Sequence, residues 1–84
     1  MSLHYRRLRN YPASPKTIGE HLRKKRIDMS LFMVQLVKLL DLGVSDGAVE
    51  LWEKNRNRVK GYNRQRIVEF LGYDPEMTNP TSNP

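Results

Sequence analysis

The chain has 84 residues, with 15 lysines and arginines against nine aspartates and glutamates, a net charge of +6 and a sequence pI near 10.0. It has no cysteine, which excludes disulfides and thiolate metal sites, and its two histidines, His4 and His21, fall short of the about four ligands a structural zinc needs. No apolar run approaches the ~20 residues of a membrane span and no signal-peptide pattern opens the chain, so no membrane partner and a cytoplasmic location are expected.

A chain of this length forms one domain with a small core. The basic balance favours an acidic partner, of which nucleic acid is the commonest. Residues 1–14 read as a basic arm: Arg6, Arg7 and Arg9 precede Tyr11-Pro12 and Ser14-Pro15, and residues before proline avoid the helical region. Thr17-Ile18-Gly19-Glu20 fits a capping box and opens a first helix from about Thr17 to Asp28. Ile18 and Leu22 face inward there, Arg23, Lys24 and Lys25 face water, and Gly19 costs about 1 kcal/mol against alanine.

Met29-Ser30 breaks that helix, and a second begins near Leu31 or Phe32 and runs toward Leu42. Only Gln35, Lys38 and Asp41 interrupt its apolar residues, so some of Phe32, Met33, Val34, Leu39 and Leu42 exceed what one small core can bury. That surplus points to a homodimer through the second helix, or to another protein partner. Ser45 is a good N-cap for a third helix, in which Val49 and Trp52 share the inner face. The polar run Lys54-Asn55-Arg56-Asn57-Arg58 follows it. Gly61 loosens the backbone before a last helix from Tyr62 to Leu71, with Ile67, Phe70 and Leu71 inward and Arg64 and Arg66 outward. Gly72 suits a left-handed cap, Pro75 stops continuation, and residues 76–84 have little to bury and are expected to be disordered. No strand-like alternation occurs. The expected fold is all-α, a compact bundle of four helices, or five, over residues 15–75.

Three strings together resemble one family: Thr-Ile-Gly-Glu-His-Leu-Arg-Lys-Lys-Arg-Ile-Asp, then Leu-Gly-Val-Ser-Asp-Gly-Ala-Val-Glu-Leu-Trp-Glu-Lys-Asn-Arg, then Ile-Val-Glu-Phe-Leu-Gly-Tyr-Asp-Pro. They are similar to the phage-repressor-like helix-turn-helix transcriptional regulators, the xenobiotic-response-element family, over Pro15 to Pro75. The resemblance implies a domain that binds double-stranded DNA, without a cofactor, near the nucleoid. The helix after Gly43-Val44-Ser45 would lie in the major groove. Ser45, Asp46, Gly47, Glu50 and Leu51 would then face the bases. Lys54, Arg56, Arg58 and Lys60, with Gln35 and Tyr62 as neutral donors, would meet phosphates. The resemblance also implies a structural ion pair between Arg26 and Glu53.

The chain departs from the family in three places. Aligning Arg26-Ile27-Asp28 puts Met33 at the family's DNA-contacting glutamine and leaves Asp41-Leu42 as two extra residues before Gly43. The other registration puts Gln35 on that glutamine, at the cost of Lys38 where an apolar residue belongs; the first is preferred. The base-facing set holds two carboxylates, a glycine and a leucine, a poor reading head. Val59 stands where the family has proline, which predicts a less rigid loop. The alternative function is therefore a protein-interaction, dimerising module that keeps the fold and has lost specific DNA reading. No nucleophile–base pair or phosphate-cradling loop suggests an enzyme.

Overall fold

The computed structural model describes residues 11–76, and all regular structure among them is helical. The helices are α1 (Ile18–Asp28), α2 (Met33–Leu40), α3 (Asp46–Glu53) and α4 (Gly61–Leu71). They form a four-helix bundle in which α3 and α4 each pack against both α1 and α2. Of the basic arm expected over residues 1–14 and the disordered tail expected over residues 76–84, residues 1–10 and 77–84 lie outside the described residues.

Each helix sends one side chain to the centre. Leu22, Leu36, Val49 and Ile67 have no exposed surface, and Ile18, Leu40, Leu42, Trp52, Val59 and Leu71 close around them. Full burial of one such aliphatic side chain contributes about 1.5–3 kcal/mol. Leu42, counted among the surplus apolar residues, belongs to this core, and Met33 packs against it. Phe32, Val34 and Leu39 do not: they are 74%, 47% and 54% exposed. Phe70 is only partly buried, with the Lys25 ammonium 5.3 Å from its ring centroid.

Thr17 caps α1 by accepting from the Glu20 N–H at 3.1 Å. The reciprocal bond shifts by one residue, because the Glu20 carboxylate takes the Lys16 N–H at 2.8 Å. Gly19 has a role beyond propensity. A Cβ built there would fall inside the carbonyl of Trp52, so its absence is what lets α1 and α3 meet backbone to backbone.

The helix ends follow one rule. At Ser30, Asp41 and Asn55 the chain turns left-handed, with φ of 58°, 56° and 62°. Behind each, the next N–H reaches back to the helix: Leu31 to Arg26, Leu42 to Val37 and Arg56 to Leu51, at 3.0, 3.0 and 2.8 Å. These are Schellman closures made without glycine. Gly72, at φ 89°, is the one helix-ending turn among the described residues that uses the residue the motif prefers.

Several sequence expectations are corrected. The second helix stops at Leu40, not Leu42, because Asp41 turns left-handed. The last helix starts at Gly61. Arg23 is not a solvated cation: its guanidinium meets the Glu53 carboxylate at 3.1 Å. Lys24 pairs with Asp28. Neither Arg64 nor Arg66 merely faces water. Arg64 holds Asp74 through two bonds of 2.7 and 2.8 Å, and Arg66 donates to the Leu40 carbonyl at 2.9 Å, sealing the end of α2. Glu76, assigned to the disordered tail, accepts from the Ile18 N–H at 2.8 Å at the start of α1. Val59 anchors the 54–60 loop in the core, so the missing proline does not leave that loop untethered.

Candidate nucleic-acid interface

The site is built on α3, whose inner face the core fixes. Val49, Trp52 and Glu53 are buried, which at 3.6 residues per turn leaves the opposite side outward. Ser45, Asp46, Gly47, Glu50 and Leu51 are all exposed there, Leu51 by 39%. Ser45 sits at the N-cap with extended backbone, but its hydroxyl makes no capping bond. Its own carbonyl takes the Ala48 N–H at 3.1 Å, the donor the hydroxyl would have received. Asp46 lies in the first turn, where the positive end of the helix dipole favours a carboxylate.

Glu53 fixes the inner end of α3. Its carboxylate is fully buried and accepts from Arg26 Nε at 2.7 Å and Nη2 at 2.9 Å, with Arg23 as a third donor. Arg26 Nη1 also donates to the Leu31 carbonyl at 2.8 Å, tying the α1–α2 turn to the same knot. The pair thus sets how far α3 projects.

Asn55 completes the support. It accepts from the Thr17 hydroxyl at 2.7 Å and donates to the Glu20 carboxylate at 2.7 Å, joining the end of α3 to the start of α1. Backbone donation from Lys16, then the Asn55 amide, holds the Glu20 carboxyl below its usual range. No local pattern marks this bridge, because its partners are 38 and 35 residues away.

The phosphate candidates divide. Lys54 donates to Glu50 at 2.8 Å across one turn of helix, and that bond holds the Glu50 carboxyl below its usual range. Arg56, Arg58 and Lys60 are exposed and form no ion pair or hydrogen bond through their side chains among the described residues. They do not form a single row. Arg56 lines a cleft of about 440 Å³ with Arg23 and Lys54, whereas Arg58 lines a smaller one of about 150 Å³ with Asn55, Val59 and Glu76. Gln35 accepts from the Phe32 N–H at 2.8 Å and so caps α2 with its carbonyl oxygen. The Tyr62 hydroxyl donates to the Asp41 carbonyl at 3.2 Å, clasping the α2–α3 turn.

His21 stands apart on α1, its Nδ1 2.8 Å from the Tyr73 hydroxyl. Among the described residues no three His, Cys, Asp or Glu side chains gather to hold a metal ion, and no helix is long and apolar enough to cross a membrane. Comparison of the chain with protein-family models, with curated proteins and with solved structures gives no match.

Proposed function

We propose that the protein is a DNA-binding transcriptional regulator that docks α3 in the major groove and sets the 54–60 loop against phosphates. The outward face of α3 carries this reading, since five exposed residues from Ser45 to Leu51 are followed by Lys54, paired with Glu50 on the surface, and then by Arg56, Arg58 and Lys60, whose side chains no partner holds among the described residues. A helix about 10–12 Å across matches a groove about 12 Å wide. Duplex DNA bears one charge per ~1.7 Å, and each cation that neutralises a phosphate releases counterions. Lys54, Arg56, Arg58 and Lys60 are the phosphate set; Tyr62 plays a lesser part because its hydroxyl already donates within the fold, whereas Gln35 commits only its carbonyl oxygen and keeps its amide donors.

Titration of duplex DNA at two salt concentrations tests the reading. Four phosphate contacts give a log–log slope of roughly −3 to −4. Arg56→Ala combined with Arg58→Ala weakens binding to every sequence alike and flattens the slope by about 2. Binding that ignores salt, or no binding, overturns it.

A second reading has its own observation. Phe32, at the N-cap of α2, and Leu39, seven residues on and so on the same side, expose apolar surface that suits self-association with a second copy of the chain; Val34 is exposed on another side. Sedimentation would show a concentration-dependent dimer lost in Phe32→Ser with Leu39→Ser. Dimerisation without DNA binding would favour the interaction module over the regulator.

A further inference from the structure

The exposed face of α3 has a chemistry of its own. Asp46 and Glu50 lie four apart and form one row along the helix, while Gly47 and Leu51 form the next. Each row spans about 6 Å, close to two base-pair steps of ~3.4 Å. One row can only accept hydrogen bonds. The other offers no polar atom at all, and Gly47 has nothing beside it but the Ser45 hydroxyl.

The two rows restrict what the face can recognise. A carboxylate is an acceptor, and the major groove presents donors only at the cytosine and adenine amines. Adenine sets its N7 acceptor beside that amine, and guanine shows two acceptors, so both repel a carboxylate that cytosine accommodates. Leucine finds an apolar partner only in the thymine methyl. The usual objection to an acid in the groove, repulsion by phosphate, is met by Lys54, which lies on Glu50 at 2.8 Å. Both side chains of that pair are about half exposed, so the ammonium can stay on Glu50 while its other donors reach a phosphate.

We propose that α3 selects its site through Glu50, which accepts from the exocyclic amine of a cytosine, and Leu51, which packs on the C5 methyl of a neighbouring thymine. The inference rests on the major-groove docking above and adds to it the identity of the bases. Gly47 leaves the helix free to approach the groove floor closely enough for both contacts.

Selection from a randomised duplex pool by the full chain, followed by titration of the enriched site, tests this. The chain should favour cytosine at one position by about tenfold, next to a thymine. Glu50→Gln should move that preference toward adenine, which glutamine reads through two bonds. Uracil in place of the thymine should weaken the wild-type chain several-fold and leave Leu51→Ala unaffected. An unchanged preference in Glu50→Gln overturns the assignment. A pool with no enriched base but salt-sensitive binding also overturns it while sparing the docking, whereas absence of binding to any duplex removes both.

Discussion

Gly19 and Trp52 touch through their backbones, and no other residue type fits at position 19. A Cβ there would meet the Trp52 carbonyl, which is main chain and cannot swing aside as a long side chain could. Gly19→Ala should therefore destabilise the fold by about 3 kcal/mol or more, although alanine is the better helix former. Urea unfolding checks it, and a gain in stability would show that α1 and α3 have more room than the bundle gives them.

Glu53 and its arginines make a second, sharper case. Glu53→Gln leaves Arg26 buried without its counter-charge and should cost about 3–5 kcal/mol. Arg26→Met with Glu53→Leu removes the pair together and should recover part of that loss, with Arg23, its side chain 17% exposed, left to turn from Glu53 toward water. Equal losses in the single and double variants would mean that the ion pair contributes more than its desolvation costs.

The left-handed turns give two substitutions of opposite sign. Ser30→Gly relieves a non-glycine residue at φ 58°, and the gain, less the extra freedom glycine gives the unfolded chain and the loss of an engaged side chain, should leave the protein stabilised by no more than about 0.5 kcal/mol. Asn55→Gly relieves the same kind of strain but cuts the bonds to Thr17 and Glu20, and should destabilise by about 1 kcal/mol. Thermal melts of the two variants, compared with the parent, decide both.

Acid should loosen the α1–α3 junction. Donors hold the Glu20 carboxyl below its usual range, and at Asp28 the Tyr11 hydroxyl and Lys24 outweigh the upward push of burial. A carboxyl depressed in the folded state contributes its stability above its unfolded pKa and loses it as pH falls through the folded value. The melting temperature should thus be level near neutrality and drop as the pH passes below about 4.5. In Glu20→Gln the starting stability should be lower and the acid drop shallower.

These substitutions also mark where the sequence was legible. Local signals placed the helices: Thr17 at a cap, Gly72 at a stop, and Val49 with Trp52 three apart on one face. The outward set from Asp46 to Leu51 came from the family resemblance, and the helical period that turns Val49 and Trp52 inward agrees with its exposure. What stayed hidden was set by residues far along the chain. Nothing near Gly19 announces Trp52, nothing near Arg66 announces the end of α2, and Glu76 gives no local hint that it reaches Ile18. Met29-Ser30 did mark the end of α1, but the left-handed form of the turns at Ser30, Asp41 and Asn55 was hidden for another reason: each uses a residue that tolerates that region only when the surrounding bonds hold it there. Among the candidate contacts, a long-range bond to Asp41 engages the Tyr62 hydroxyl, whereas Gln35 commits only its carbonyl oxygen, to the nearby Phe32 N–H.

Because Glu76 bonds the Ile18 N–H at 2.8 Å, the first turn of α1 lies beside the closing residues of the domain. A linker of a few glycines and serines could splice these two places, and new termini could be opened at Gly43, an exposed glycine where even an added Cβ would meet nothing within 4 Å. Such a circularly permuted chain would begin just ahead of α3 and present that helix as its leading segment, still carried by the same four-way core.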